Sequence, residues 1–215
     1  MKRKPHYYIE IRYFGKAKSD FKNLVNEVDN KFNLKKGHKV PHVTVVQPFK
    51  TNKQKWLVSD FKKICSKHKL MKFTVDGIGV FPFFVVYAKV NPGEELVKFR
   101  QDLMKSIKSY SHIADINREY KPHTTIALKV GLIKFFRIWF YLKNKPRIVF
   151  TNHIIRVTLL KGKRILYEYD FVNRRLLNRN QALNIKGVGK SIGKLKRHKP
   201  KKIPWAGRKR LFIQK

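Results

Sequence analysis

The chain has 215 residues, 42% of them hydrophobic, with sixteen Phe, nine Tyr and three Trp, a composition that builds a globular core and excludes wholesale disorder. Fifty-one Lys and Arg stand against thirteen Asp and Glu, a formal charge of +38, so a compact state repels itself unless a polyanion offsets it; nucleic acid is the expected partner. A single cysteine, Cys65, excludes an internal disulfide and a cysteine-based metal site and points to the reducing cytoplasm.

Residues 6–14 (HYYIEIRYF) predict a strand whose Tyr7, Ile9, Ile11 and Tyr13 share one face; Glu10 and Arg12 interrupt any apolar run, so the basic start is not read as a signal peptide. Phe21, Leu24, Val25, Val28 and Phe32 recur at helical spacing over 18–33, with Ser19 or Asp20 as the cap. The loop GHKVP leads into HVTVVQPF, a strand ended by Pro48, and a second helix is expected over 53–69. Apolar β runs follow at 72–80 and 83–90, split by Phe81-Pro82, and after Asn91-Pro92-Gly93 an amphipathic helix opens with Glu94 and Glu95. YKPHTTIALKV reads as loop and strand. The aromatic segment 131–142, with Lys134 and Arg137 inside it, is too short to span a bilayer, which takes about 20 residues, and is expected as a partly buried helix rather than a membrane contact. Residues 148–171 read as strands around the turn LKGKR. From 173 to 215 there is no Asp or Glu. This segment is expected to be a basic C-terminal arm beyond a domain of residues 1–172, with a short helix at 174–183 and Trp205 and Phe212 as anchors or isolated aromatics.

Two segments match each other: Pro41-His42-Val43-Thr44 and Pro122-His123-Thr124-Thr125, 81 residues apart and each at the start of a strand. One His-x-Thr means little, but two copies with the same preceding proline and strand context form a specific signal. Strand side chains alternate, so each His shares a face with its Thr. If the two strands are equivalent parts of a duplicated unit, both pairs face one cleft. One imidazole can then take a proton from the attacking hydroxyl while the other protonates the leaving oxygen. Each Thr hydroxyl can donate to a non-bridging phosphate oxygen. The competing reading is two strand-start histidines satisfied by local backbone bonds. Phe49, Phe81, Phe83 and Tyr120 lie near the motifs and are candidates for stacking on a base, although aromatics at such places also serve as core. The remaining histidines show no metal-ligand spacing, so no metal and no cofactor is expected.

PHVTVVQPF and YKPHTTIALK resemble the two signature motifs of the two-histidine phosphoesterase superfamily, in its 2′-5′ RNA ligase-like branch. GIGVFPFFVVYAKV (77–90) is similar to that family's Phe-Pro strand pair, and VTLLKGKRILYEYDF resembles its closing hairpin. The resemblance covers roughly residues 5–175. It implies an α+β, bilobal fold with antiparallel sheets lining a central cleft under pseudo-two-fold symmetry. It also implies catalysis by His42 and His123, phosphate contacts from Thr44 and Thr125, and activity on RNA 2′,3′-cyclic phosphates or 2′-5′ linkages. The related cyclic phosphodiesterases carry Arg three residues past the second motif's Thr. Here Leu128 stands at that place with Lys129 next, and Lys121 and Lys129 become candidate substrate cations. The leading reading is a monomeric, cytoplasmic enzyme acting on tRNA, RNA fragments or ribosomal RNA. An RNA- or ribosome-binding protein that keeps the fold as a docking surface stays open, as does a phosphoesterase for a small cyclic nucleotide.

Overall fold

A computed structural model describes residues 6–34, 40–82, 84–113 and 119–197. Its elements are β1 (His6–Arg12), α1 (Gly15–Lys31), β2 (His42–Lys50), α2 (Gln54–Lys67), β3 (Lys72–Phe81), β4 (Val85–Pro92), α3 (Glu94–Lys108), β5 (His112–Ile113), β6 (His123–Ala127), α4 (Leu132–Lys143), β7 (Val149–His153), β8 (Arg156–Lys161), β9 (Arg164–Asp170), β10 (Arg175–Asn178), α5 (Arg179–Leu183) and α6 (Ile185–Arg197). The strands form two antiparallel sheets, a six-stranded one in the order β10-β9-β8-β1-β2-β5 and a four-stranded one in the order β6-β4-β3-β7. The expected α+β architecture with two antiparallel lobes is present.

Alternation in β1 works as its sequence dictates. Tyr7, Ile9, Ile11 and Tyr13 are at most 1% exposed and enter a core shared by both sheets, while Tyr8, Glu10 and Arg12 take the other face. α1 buries Phe21, Val25 and Val28 but starts at Gly15, earlier than its side-chain pattern predicts. Gly15 has φ +57°, and no side chain caps the helix; Asp20 instead accepts from Lys16 one turn back.

The two halves repeat one unit. β1-α1-β2 is a pair of antiparallel neighbours joined through a helix, and β4-α3-β6 is another. The units are interlocked, because α1 packs on β6 and α3 on β2. The Tyr13 hydroxyl bonds that of Thr124 at 2.7 Å, and its buried position pushes its ionisation up.

Residues after 172 do not begin as an arm. β10 extends the larger sheet beside β9, α5 is capped by an Asn178–Gln181 capping box, and α6 docks on the domain. The reason is polar rather than apolar. Ser191, fully buried in α6, donates to Asp170 at 2.6 Å, and the Asp170 carboxylate pairs with buried Arg156 at 3.4 Å. Arg156 also reaches Glu168 and the Ala182 carbonyl, both at 3.2 Å. Trp205 and Phe212 lie outside the described residues, as does the part of the basic segment after residue 197.

α4 forms as expected, burying Ile138 and Leu142 against β3 and β4 and leaving Ile133, Phe136 and Phe140 exposed. Among the described residues no helix is long and apolar enough to cross a membrane.

Candidate active site

β2 and β6 each open on a motif histidine and pack against each other from different sheets. His42 and Thr44 share a half-buried face of β2 while Val43 and Val45 enter the core, and His123 and Thr125 repeat this on β6. Both imidazoles are anchored in the same way. The His42 Nδ1 lies 2.8 Å from the Val40 carbonyl oxygen, and the His123 Nδ1 lies 2.9 Å from that of Lys121. A carbonyl only accepts, so each Nδ1 carries the proton and the Nε2 of each neutral ring is the nitrogen that holds a lone pair. The same two-residue back-bond in both motifs is the local consequence of Pro-His at a strand entrance: Pro41 and Pro122 have no N–H of their own to compete for it.

The surroundings of the two rings differ. His123 packs edge-on to Phe81 with ring centroids 4.8 Å apart and tilts against Tyr87 at 5.2 Å. Desolvation there pulls its pKa below the ordinary imidazole value. The Lys121 carbonyl bond works the other way, and the positive charge available to nearby His42 lowers it further. Tyr87 stacks on Phe81 at 4.1 Å and lies across Gly79, where a Cβ would stand 2.7 Å from the ring; glycine is needed for that approach.

Beside His42 stands Glu10, 3% exposed, with its Oε2 3.9 Å from the His42 Nε2 and its Oε1 held by the Arg12 Nε at 2.6 Å. Register explains the grouping: Arg12 pairs with His42 and Glu10 with Thr44 across β1 and β2. Glu10 also pairs with Thr158, and Thr158 with Glu168, so a polar row crosses the sheet from the motif. Sequence reasoning missed Glu10, Arg12 and Tyr87. Their one trace in the chain is that each sits on an alternating strand in a position opposite the apolar face.

The other expected contacts separate. Tyr120 donates to the Thr44 carbonyl at 3.2 Å, and the Arg100 guanidinium lies over its ring at 4.5 Å, so it buttresses the first motif. Phe49 is 1% exposed and packs on Tyr7 within the core, which removes it from base stacking because its strand face points inward. Phe81 borders His123, whereas Phe83 falls outside the described residues. Lys121 pairs with Glu119 at 2.9 Å and sits close enough to Tyr87 to influence it. Leu128 is 48% exposed, and Leu128 and Lys129 line a groove of about 820 Å³ with Asn33, Leu34 and Gly131, a groove that neither histidine borders. The described residues hold no group of three or more His, Cys, Asp or Glu arranged for a metal ion.

The 2′-5′ RNA ligase superfamily model matches residues 18–164, which takes in both histidine motifs. No curated protein matches the sequence. Among solved structures, TT0787 of Thermus thermophilus aligns with a TM-score of 0.52 at 14% identity over 77% of this chain and 97% of its own. Escherichia coli LigT complexed with 3′-AMP gives 0.46 at 14% identity over 81% and 93%. Kluyveromyces marxianus Usb1 with uridine monophosphate gives 0.42 at 12% identity over 81% and 98%. With a family match over most of its length, both motifs within it and the fold in common with TT0787, the chain belongs to the 2′-5′ RNA ligase superfamily.

Proposed function

We propose that the protein is an RNA-end phosphoesterase that opens terminal 2′,3′-cyclic phosphates by acid–base catalysis at His42 and His123, with no metal. The observation that carries the reading is the matched pair of imidazoles. Each has its Nδ1–H committed to a backbone carbonyl and its Nε2 left for proton transfer, and they stand on neighbouring strands of the two sheets. Water attacks phosphorus as one Nε2 takes its proton. The bond from phosphorus to one ribose oxygen breaks, and the other imidazole protonates that oxygen. Thr44 and Thr125, on the same faces as the histidines, donate to the non-bridging oxygens as charge grows there. A 5′-hydroxyl in place of water gives the companion reaction, formation of a 2′-5′ bond.

The superfamily match and the charge of +38 support RNA as the substrate. The test is incubation of short RNAs ending in 2′,3′-cyclic phosphate, with EDTA present, followed by identification of the ends. Conversion to phosphomonoester ends is expected. No conversion with correctly folded protein sinks the reading.

A further inference from the structure

Residues 10 and 87 occupy the same place in the two repeated halves. Each is the cross-strand partner of a motif threonine, Glu10 of Thr44 and Tyr87 of Thr125, and the next outward pair holds the motif histidine, Arg12 with His42 and Lys89 with His123. The chemistry at the two equivalent positions is opposite. Glu10 is buried, and the Arg12 Nε fixes one of its oxygens, so the other is held 3.9 Å from the His42 Nε2. Arg12, at 19% exposure, is committed to the far oxygen. In the second half the phenol of Tyr87 brings no charge, and its own ionisation is pushed up by burial. Its ring and that of Phe81 enclose His123 in apolar surface.

A fixed carboxylate favours an imidazole that carries its second proton, and apolar rings favour one that does not. We propose that Glu10 is a positioning residue that makes His42 the general acid, while the Tyr87 side leaves His123 as the general base. This rests on the phosphoesterase reading and adds a direction to it. The attacking water gives its proton to the His123 Nε2 and its oxygen to phosphorus. The electron pair of the broken P–O bond goes to the departing ribose oxygen, which takes the proton from the His42 Nε2. Glu10 neither gains nor loses a proton in the step; it stabilises the imidazolium before transfer.

A general acid matters only when the leaving atom needs protonation. The experiment therefore compares two kinds of substrate, an RNA 2′,3′-cyclic phosphate and its analogues with sulfur in place of one or the other ribose bridging oxygen, since a thiolate departs without a proton. For Glu10→Gln, kcat on the oxygen substrate is expected to fall by about ten- to a hundredfold, less than the roughly 10²–10⁴-fold a positioned acid itself contributes, because Glu10 acts through His42. On the analogue that carries sulfur at the departing position, it is expected to stay within about threefold of wild type, as follows when that acid is dispensable. Glu10→Asp keeps the charge and should recover much of the oxygen rate. If Glu10→Gln does not fold, the oxygen-to-sulfur ratio of Glu10→Asp decides, and it should lie below that of wild type. Equal slowing of both substrates, or no slowing of either, overturns the assignment while leaving the phosphoesterase reading intact. A wild-type protein inert toward oxygen and sulfur substrates alike would overturn both.

Discussion

Replacing Asp170 by Asn tests why the C-terminal helix belongs to the domain. Asp170 is fully buried and accepts from Ser191 at 2.6 Å and from Val172, Asn173 N and Asn173 Nδ2 at 3.0 Å, and it faces the Arg156 Nε at 3.4 Å. The amide keeps the shape but removes the charge, and it turns a donor toward Arg156 or Ser191. Breaking one side of a buried ion pair costs about 3–5 kcal/mol. For a chain of this size each kcal/mol moves Tm by about 2–4 °C, so a decrease of about 6–20 °C is expected in a thermal melt at neutral pH. The pH dependence gives a second check. Burial alone would raise the Asp170 pKa, but the Ser191 and Asn173 hydrogen bonds and the Arg156 charge outweigh it, and the net shift is downward. A carboxyl whose folded pKa is depressed contributes stability above its unfolded value, near 3.9, and loses it as pH falls through the folded value. The gap between wild type and Asp170→Asn in urea midpoints should therefore be full above about pH 5 and shrink below about pH 4. A loss under about 1 kcal/mol, or a gap that persists unchanged at pH 3, would refute the polar clamp as the reason α6 docks.

Replacing either His42 or His123 by Ala should lower turnover of cyclic phosphate ends by about two to four orders of magnitude with little change in Tm, as expected for positioned proton-transfer groups. Near wild-type rates in both variants would remove them from catalysis. Because the pKa of His123 lies below the ordinary imidazole value, the acid limb of the kcat/KM profile should fall below about pH 6.5, and a limb at higher pH would contradict its role as base. Truncation after residue 197 removes seven Lys and Arg, so the salt slope for long RNA should flatten by up to about 0.7 for each phosphate no longer neutralised, while turnover of a dinucleotide-sized substrate stays unchanged. An unchanged slope would take residues 198–215 out of RNA binding.

The sequence makes the two motifs legible because their signal is local: Pro, His and Thr at fixed spacing mark both the strand entrance and the residues of the proposed chemistry. The core faces of β1 and α3 are legible for the same reason, since period-two and helical spacing are written along one segment. Glu10 was not, because a Glu on an alternating strand reads as a solvent-side residue, and only the register of β1 against β2 puts it at His42. Nor was α6. Gly187, Gly189 and Gly193 lower its intrinsic helicity, and its lysines read as a solvated run. What holds it is a buried Ser191–Asp170 bond across 21 residues, which no periodicity encodes. Phe49 misled in the opposite direction: proximity to a motif in sequence placed it at the site, whereas it shares the inward face of β2 with Val43 and Val45 and pairs with Tyr7 of β1.

The central place of β1 also bears on how the chain is made. Its neighbours are β2, which follows closely, and β8, which ends at Lys161. A ribosome adding about 5–20 residues per second leaves an interval on the order of 5–20 s between the emergence of β2 and that of β8. Throughout it the nascent protein presents one bare edge of β1, flanked by the apolar Tyr7, Ile9 and Ile11. Such an edge invites pairing with another nascent chain. The charged interruptions available to discourage that pairing are Glu10 and Arg12, so the two residues at the base of the His42 site also stand guard over the strand before the sheet can close.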